Sequence, residues 1–105
     1  MTLVDNPTRS KIKKIHFIGI GGSGMSGIAE VLTNLGYEVS GSDFQSNQAT
    51  EKLEKLGCSI SYKHESSNVL GKQAVVVSSA IDKNNLELQE ARKQNLIRLM
   101  LLAAL

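Results

Sequence analysis

The sequence predicts a single α/β domain, a parallel sheet flanked by helices. Three observations predict it. Short apolar runs alternate along the chain with stretches of helical periodicity, the pattern of βαβ units. One of these runs, Ala74-Val75-Val76-Val77, is the β-branched signature of a strand buried on both faces. A glycine cluster, Gly19 to Gly24, joins the first apolar run to the first helical stretch. Right-handed crossovers then connect the strands.

The elements follow in order. Ile15-His16-Phe17-Ile18 is apolar and bounded by Gly19, which fits a short buried strand. Beyond the glycines, Met25, Ile28, Ala29, Leu32 and Leu35 fall on one face of a helix, and Gly36 follows as its C′ residue. Tyr37 to Gly41 is the second strand, with Ser42 and Asp43 at its carboxyl end. Ser46 or Asn47 caps the next helix, which turns Ala49, Leu53 and Leu56 inward, pairs Glu51 with Lys55, and stops at Gly57. Cys58 to Tyr62 is a weaker third strand; its cysteine reads as a buried structural thiol, and His16 as a packed histidine. Lys63 to Gly71 is polar and loop-like, with room for one helical turn. The valine strand stops at Ser78-Ser79-Ala80-Ile81, and Asn84 or Asn85 caps a helix running to about Gln94.

The ends are different. Residues 1–13 carry Asn6, Pro7 and several basic side chains and read as a flexible arm. Residues 96–105 form an apolar tail without a polar close. That tail reads as a fifth strand with a helix start, or as the place where a longer protein was cut, and the second is preferred.

Composition excludes several classes. The 105 residues hold one cysteine, too few for an internal disulfide or a multi-cysteine zinc site. A net charge of +2 and 4% aromatic residues argue against a nucleic-acid partner. No apolar run approaches the ~18 residues of a membrane span, and Met1 to Ser10 lack the apolar core of a secretory signal. The expectation is an intracellular domain with no nucleic-acid and no membrane partner.

The glycines carry the chemistry. Gly19-Ile20-Gly21-Gly22-Ser23-Gly24 satisfies G-x-G-x-x-G, and Gly22, Gly24 and Gly27 satisfy it again. The motif follows a strand and opens a helix, the context that makes it a Rossmann-like phosphate turn. Glycine admits a tight turn and lets backbone approach a ligand. The first amides of the helix and its dipole attract a phosphate or pyrophosphate. Ser23 and Ser26 add hydroxyls, and Asp43 lies where a carboxylate accepts from a ribose diol. These residues alone leave NAD, FAD and a UDP-sugar all open.

The stretch from His16 to Leu32, with its core Gly21-Gly22-Ser23-Gly24-Met25-Ser26-Gly27, closely resembles the start of the Mur ligases. The likeness continues through Gly36-Tyr37, Val39 to Asp43, Thr50, Leu53, Gly57 and Val75 to Ile81, and spans roughly residues 14–92. Within that family it is most similar to the branch that joins L-alanine to UDP-N-acetylmuramate in peptidoglycan precursor synthesis in the bacterial cytoplasm. The resemblance implies a three-domain, ATP-dependent enzyme of which residues 14–95 are the UDP-sugar-binding domain. It implies that Gly21, Gly22, Ser23, Gly24, Met25 and Ser26 hold the pyrophosphate of UDP-N-acetylmuramate. It implies that Asp43 faces the uridine, that Ser78, Ser79 and Ala80 line the uridine or sugar pocket, and that His64 points at the nucleotide.

Three departures stand out. Lys63 occupies a position where the family commonly has Gly, Asn85 one where it often has Pro, and the segment after Asn95 matches poorly. The ATP loop of the family, Gly-Lys-Thr, is missing from this sequence: its one Gly-Lys pair, Gly71-Lys72, is followed by Gln73. The resemblance therefore implies a chain that binds and does not catalyse, with no cofactor of its own. ATP and Mg²⁺ would be served by the ATP-binding and C-terminal domains of the full-length parent. The rivals are a nicotinamide-binding domain of a dehydrogenase and a nucleotide-sensing module.

Overall fold

The computed structural model describes residues 12–102. The arm expected over residues 1–13 thus lies outside the described residues except for Ile12 and Lys13, as do residues 103–105 of the tail.

Among the described residues, four strands and three helices follow in the predicted order, and a fifth strand comes after them. They are β1 (Lys14–Ile18), α1 (Met25–Asn34), β2 (Glu38–Ser42), α2 (Gln48–Lys55), β3 (Ser59–Ser61), β4 (Ala74–Ser78), α3 (Leu86–Lys93) and β5 (Ile97–Leu101). A 3₁₀ turn, Ser66–Val69, interrupts the loop before β4. All neighbouring strands are parallel, in the order β3-β2-β1-β4-β5.

Alternation along the strands feeds two cores. Ile15 and Phe17 of β1 and Ala74 and Val76 of β4 join Met25 and Ala29 of α1 and Leu53 of α2 on one face. Ile18, Val75 and Val77 pack under Leu88 and Ala91 of α3 on the other. Both faces of the central strands are thus covered, which is why they read as continuous apolar runs. Cys58 is buried in the first core, its Sγ 3.2 Å from Thr33 Oγ1.

At the ends, the structure differs from the boundaries drawn on sequence. Ile12 packs against the first core, and the Lys13 carbonyl accepts from the Glu38 amide at 2.8 Å, so the last two residues of the expected arm are tied to the sheet. Residues 97–101 of the apolar tail form β5, paired along its length with β4 from Ala74↔Ile97 to Ser78↔Leu101. As an edge strand, β5 leaves Ile97, Leu99 and Met100 exposed.

Candidate functional site

In the strand order, the chain leaves β1 toward β2 and β3, but leaves β4 toward β5. The crevice of such a sheet lies between the carboxyl ends of the two strands where the direction reverses. Here those ends are Gly19 to Gly24, after β1, and Ser78 to Ile81, after β4. A Cβ on Gly19 would lie 3.6 Å from Ser78 Cβ and 3.3 Å from Ile81 Cδ1, so the two turns touch.

The glycine turn is held from below and from the side. Both the Gly19 and Ile20 amides donate to the Ser42 carbonyl, at 2.9 and 3.0 Å. Ile20 is fully buried and sits directly over Gly41, where a Cβ would come within 2.4 Å of Ile20 Cδ1 and 2.6 Å of its Cβ. The Gly21 amide donates to Asp43 Oδ2 (2.9 Å), and Asn47 Nδ2 donates to the Gly21 carbonyl (3.1 Å). A Cβ on Gly21 would meet Asn47, Asp43 and Thr50 at 3.0–3.1 Å.

What the turn leaves open is the amino end of α1. Gly24 is its N-cap at φ 80°, a left-handed conformation that suits glycine, and it offers no side-chain acceptor. No acidic residue stands in the first turn of α1. The other two helices are capped: Asn47 and Thr50 form a reciprocal capping box on α2, and Asn85 accepts from the Glu87 and Leu88 amides of α3. Around the turn, Gly22 donates to Gly19, and Met25 and Ser26 both donate to the Gly22 carbonyl. The amides of Ser23 and Gly24 have no acceptor among the described residues. Two open N–H groups at the positive end of a helix dipole attract an anion.

Met25 faces inward from the turn. Its side chain is 1% exposed within the core, and its amide is already engaged by Gly22. Helical period puts it on the buried face, and that position prevails over its closeness in sequence to the glycines. Asp43 braces Gly21 with Oδ2, while Oδ1 meets only the Gln45 amide, at 3.4 Å, among the described residues. Ser78 is buried and its Oγ accepts from the Ala80 amide (3.2 Å), whereas Ser79 and Ala80 are exposed at the crevice wall. The Ser79 amide donates to the Leu101 carbonyl, and a Cβ on Gly24 would lie 3.6 Å from Leu101 Cδ2. The end of β5 therefore closes one side of the crevice.

Behind the turn lies a polar cluster that sequence reasoning missed. Glu87, in the first turn of α3, is fully buried. Its Oε1 accepts from His16 Nε2 (2.7 Å) and Ser42 Oγ (2.6 Å), and its Oε2 from Asn68 Nδ2 (2.7 Å) and the Glu65 amide (3.0 Å). Burial by itself would raise its carboxyl. The hydrogen bonds from His16, Ser42 and Asn68, with the charge of His16, outweigh burial and hold it below the usual carboxylate range. His64 joins the cluster, its Nδ1 2.9 Å from Ser42 Oγ, and stacks edge-on against exposed Phe44 with ring centroids 4.4 Å apart. A sequence signal for Glu87 did exist, an acid two residues after a capping Asn, but it reads equally as a solvated complement to the helix dipole.

The fold and the glycine turn at the switch point define a Rossmann-like domain of the doubly wound α/β class. Comparison with known proteins narrows this. The sequence model of the family described as "Mur ligase family, catalytic domain" matches residues 14–105. The UDP-N-acetylmuramate–L-alanine ligase of Ruthia magnifica subsp. Calyptogena magnifica is 57% identical over 88 residues, covering 84% of this chain and 19% of that protein. The same-named ligase of Burkholderia ambifaria is 58% identical over 83 residues, covering 79% and 18%. Among solved structures, UDP-N-acetylmuramate–alanine ligase from Thermotoga maritima superposes with a TM-score of 0.79 at 34% identity, over 83% of this chain and 20% of that one. UDP-N-acetylmuramate:L-alanyl-gamma-D-glutamyl-meso-diaminopimelate ligase from Neisseria meningitides gives 0.76 at 25% identity, over 85% and 28%. This chain belongs to the Mur ligase family. It spans about a fifth of the length of the curated relatives it matches.

Proposed function

We propose that this domain holds the uridine diphosphate part of UDP-N-acetylmuramate. The parent protein would be an ATP-dependent ligase that joins L-alanine to that nucleotide sugar in the cytoplasm, a step of peptidoglycan precursor synthesis. The observation that carries the reading is the uncapped amino end of α1, with the Ser23 and Gly24 amides open at the switch point. In this reading Gly21 and Gly22 shape the turn, and the Ser23 and Gly24 amides and the Ser23 and Ser26 hydroxyls bind the pyrophosphate. Asp43 and His64 lie toward the nucleoside, and Ser78, Ser79 and Ala80 form the opposite wall. The names of the most similar relatives support this substrate over NAD.

The chemistry of such a ligase would run through an acyl phosphate, formed from ATP on the sugar's lactyl carboxylate and opened by the amine of L-alanine. The described residues do not fit that task. Among them, no three His, Cys, Asp or Glu side chains converge to hold a metal ion. The Gly71-Lys72 pair sits in an exposed turn before β4, not at the head of a helix. In the proposed reading ATP and Mg²⁺ are served by other domains of the parent. No helix among the described residues is long and apolar enough to cross a membrane.

Isothermal titration with UDP-N-acetylmuramate, UDP and NAD tests the proposal. The expected result is binding of both uridine compounds and no heat with NAD. Binding of NAD alone would move the domain to a dehydrogenase. Failure of all three to bind would refute the claim that this domain holds the nucleotide by itself.

A further inference from the structure

The buried cluster contains a donor–acceptor sequence with one solution. Both oxygens of Glu87 face donors, two on each, so the carboxylate is ionised and acts only as an acceptor. Ser42 is fully buried, and its single hydroxyl hydrogen is committed to Glu87 Oε1 at 2.6 Å. Toward His64, then, Ser42 Oγ has only a lone pair to offer. The 2.9 Å contact with His64 Nδ1 requires that Nδ1 carry the hydrogen. Nδ1 also faces Glu87 Oε2 at 3.6 Å, and a hydrogen there is favoured by that negative charge as well.

The remaining ring nitrogen, Nε2, has no hydrogen-bond partner among the described residues. The His64 side chain is only 6% exposed, yet no buried side-chain nitrogen or oxygen among the described residues is left unpartnered. Nε2 is therefore a point where the ring meets solvent. It lies on a histidine bonded to the residue just before Asp43, at the carboxyl end of β2.

We infer that Glu87 and Ser42 are positioning residues that fix His64 as its Nδ1–H tautomer and so present Nε2 as a hydrogen-bond acceptor to a donor on the nucleoside. That donor would be a ribose hydroxyl or the imide N–H of the base. The inference rests on the proposed nucleotide site for its ligand, but the tautomer itself does not depend on it. Free imidazole side chains favour hydrogen on Nε2, so the buried serine and carboxylate reverse the ordinary preference. They also give a reason for burying a carboxylate that a well-packed apolar side chain would otherwise replace at little cost.

The nitrogen shifts of ¹⁵N-histidine-labelled protein read the tautomer directly, without ligand. His64 is expected to show a protonated, pyrrole-type Nδ1 and an unprotonated, pyridine-type Nε2 at mildly alkaline pH. Ser42→Ala should shift His64 toward the Nε2–H form while leaving the protein folded. A wild-type His64 protonated at Nε2 alone overturns the relay. UDP titration then tests its use. Ser42→Ala and His64→Ala should each weaken UDP by about five- to tenfold, the worth of one hydrogen bond, and the double variant by no more than either. Full UDP affinity in Ser42→Ala, with its tautomer shifted, overturns the role of Nε2 as acceptor. If UDP does not bind the wild type, the proposed nucleotide site fails for this domain, and the nitrogen shifts still decide the tautomer independently. UDP methylated at N3 separates the two donors: retained sensitivity to His64→Ala assigns the hydroxyl, and lost sensitivity assigns the imide.

Discussion

Replacing Gly41 with alanine adds one carbon where none fits. The new Cβ would lie 2.4 Å from Ile20 Cδ1, 2.9 Å from Cγ1 and 2.6 Å from Cβ. Rotating the isoleucine clears the first two but not the third, because Cβ is fixed to the backbone. The segment carrying Ile20 must therefore lift off β2, stretching the bonds from the Gly19 and Ile20 amides to the Ser42 carbonyl. Overpacking of this kind costs about 1–3 kcal/mol, and the fixed Cβ places this case near 2 or above. A loss of about 2 kcal/mol lowers the melting temperature of a domain this size by roughly 8–16 °C. Urea denaturation with an unchanged m-value would measure it. Ile20→Ala in the same background should recover only part of the loss, since its Cβ remains. The glycine turn would also move, so UDP affinity should fall in the folded variant. A Gly41→Ala protein within about 0.5 kcal/mol of the wild type would refute the claim that Ile20 is seated on bare backbone.

Other expectations follow from the same contacts. Gly24→Val puts a branched side chain at φ 80° beside the open amides, so the variant should fold with some loss of stability and show no heat with UDP-N-acetylmuramate by calorimetry. Asn47→Ala removes both the cap of α2 and the hydrogen bond to the Gly21 carbonyl, and should cost about 1–2 kcal/mol in urea unfolding. Glu87 is held below its ordinary range, so its contribution to stability is whole above the unfolded value of about 4.3 and is lost as pH falls through the lower folded value. The plot of urea midpoint against pH should therefore fall on its acid side. Glu87→Gln should lower the plateau and flatten that limb, and an unchanged limb would show that another group sets it.

Local pattern carried most of the architecture. Apolar period marked α1, the run of valines marked β4, and Gly19 to Gly24 announced a turn. What stayed hidden depends on partners far along the chain. Glu87 meets His16 across 71 positions, and nothing near either residue announces the pair. The strand order that makes Ser78 a neighbour of Gly19 is likewise absent from any window of sequence. Gly41 looked like the end of a strand, because its need for bareness comes from Ile20 above it. Asn47 was recognisable as a cap, but its second bond, to Gly21, belongs to tertiary structure. Leu96 to Leu105 stayed ambiguous for a different reason. An edge strand half open to solvent has no alternation to display, and pairing with β4 alone defines it.

The place of β5 has a consequence for how the protein is made. On the ribosome the glycine turn emerges early, yet the residue that walls it beside Gly24 is Leu101, whose carbonyl also receives the Ser79 amide. Until that strand leaves the exit tunnel, the nascent chain has an incomplete pocket and a bare flank along β4. In the proposed reading, the nucleotide would meet a finished cradle only after nearly all of this domain has been translated, so ligand capture would report on completion of the fold rather than guide its first steps.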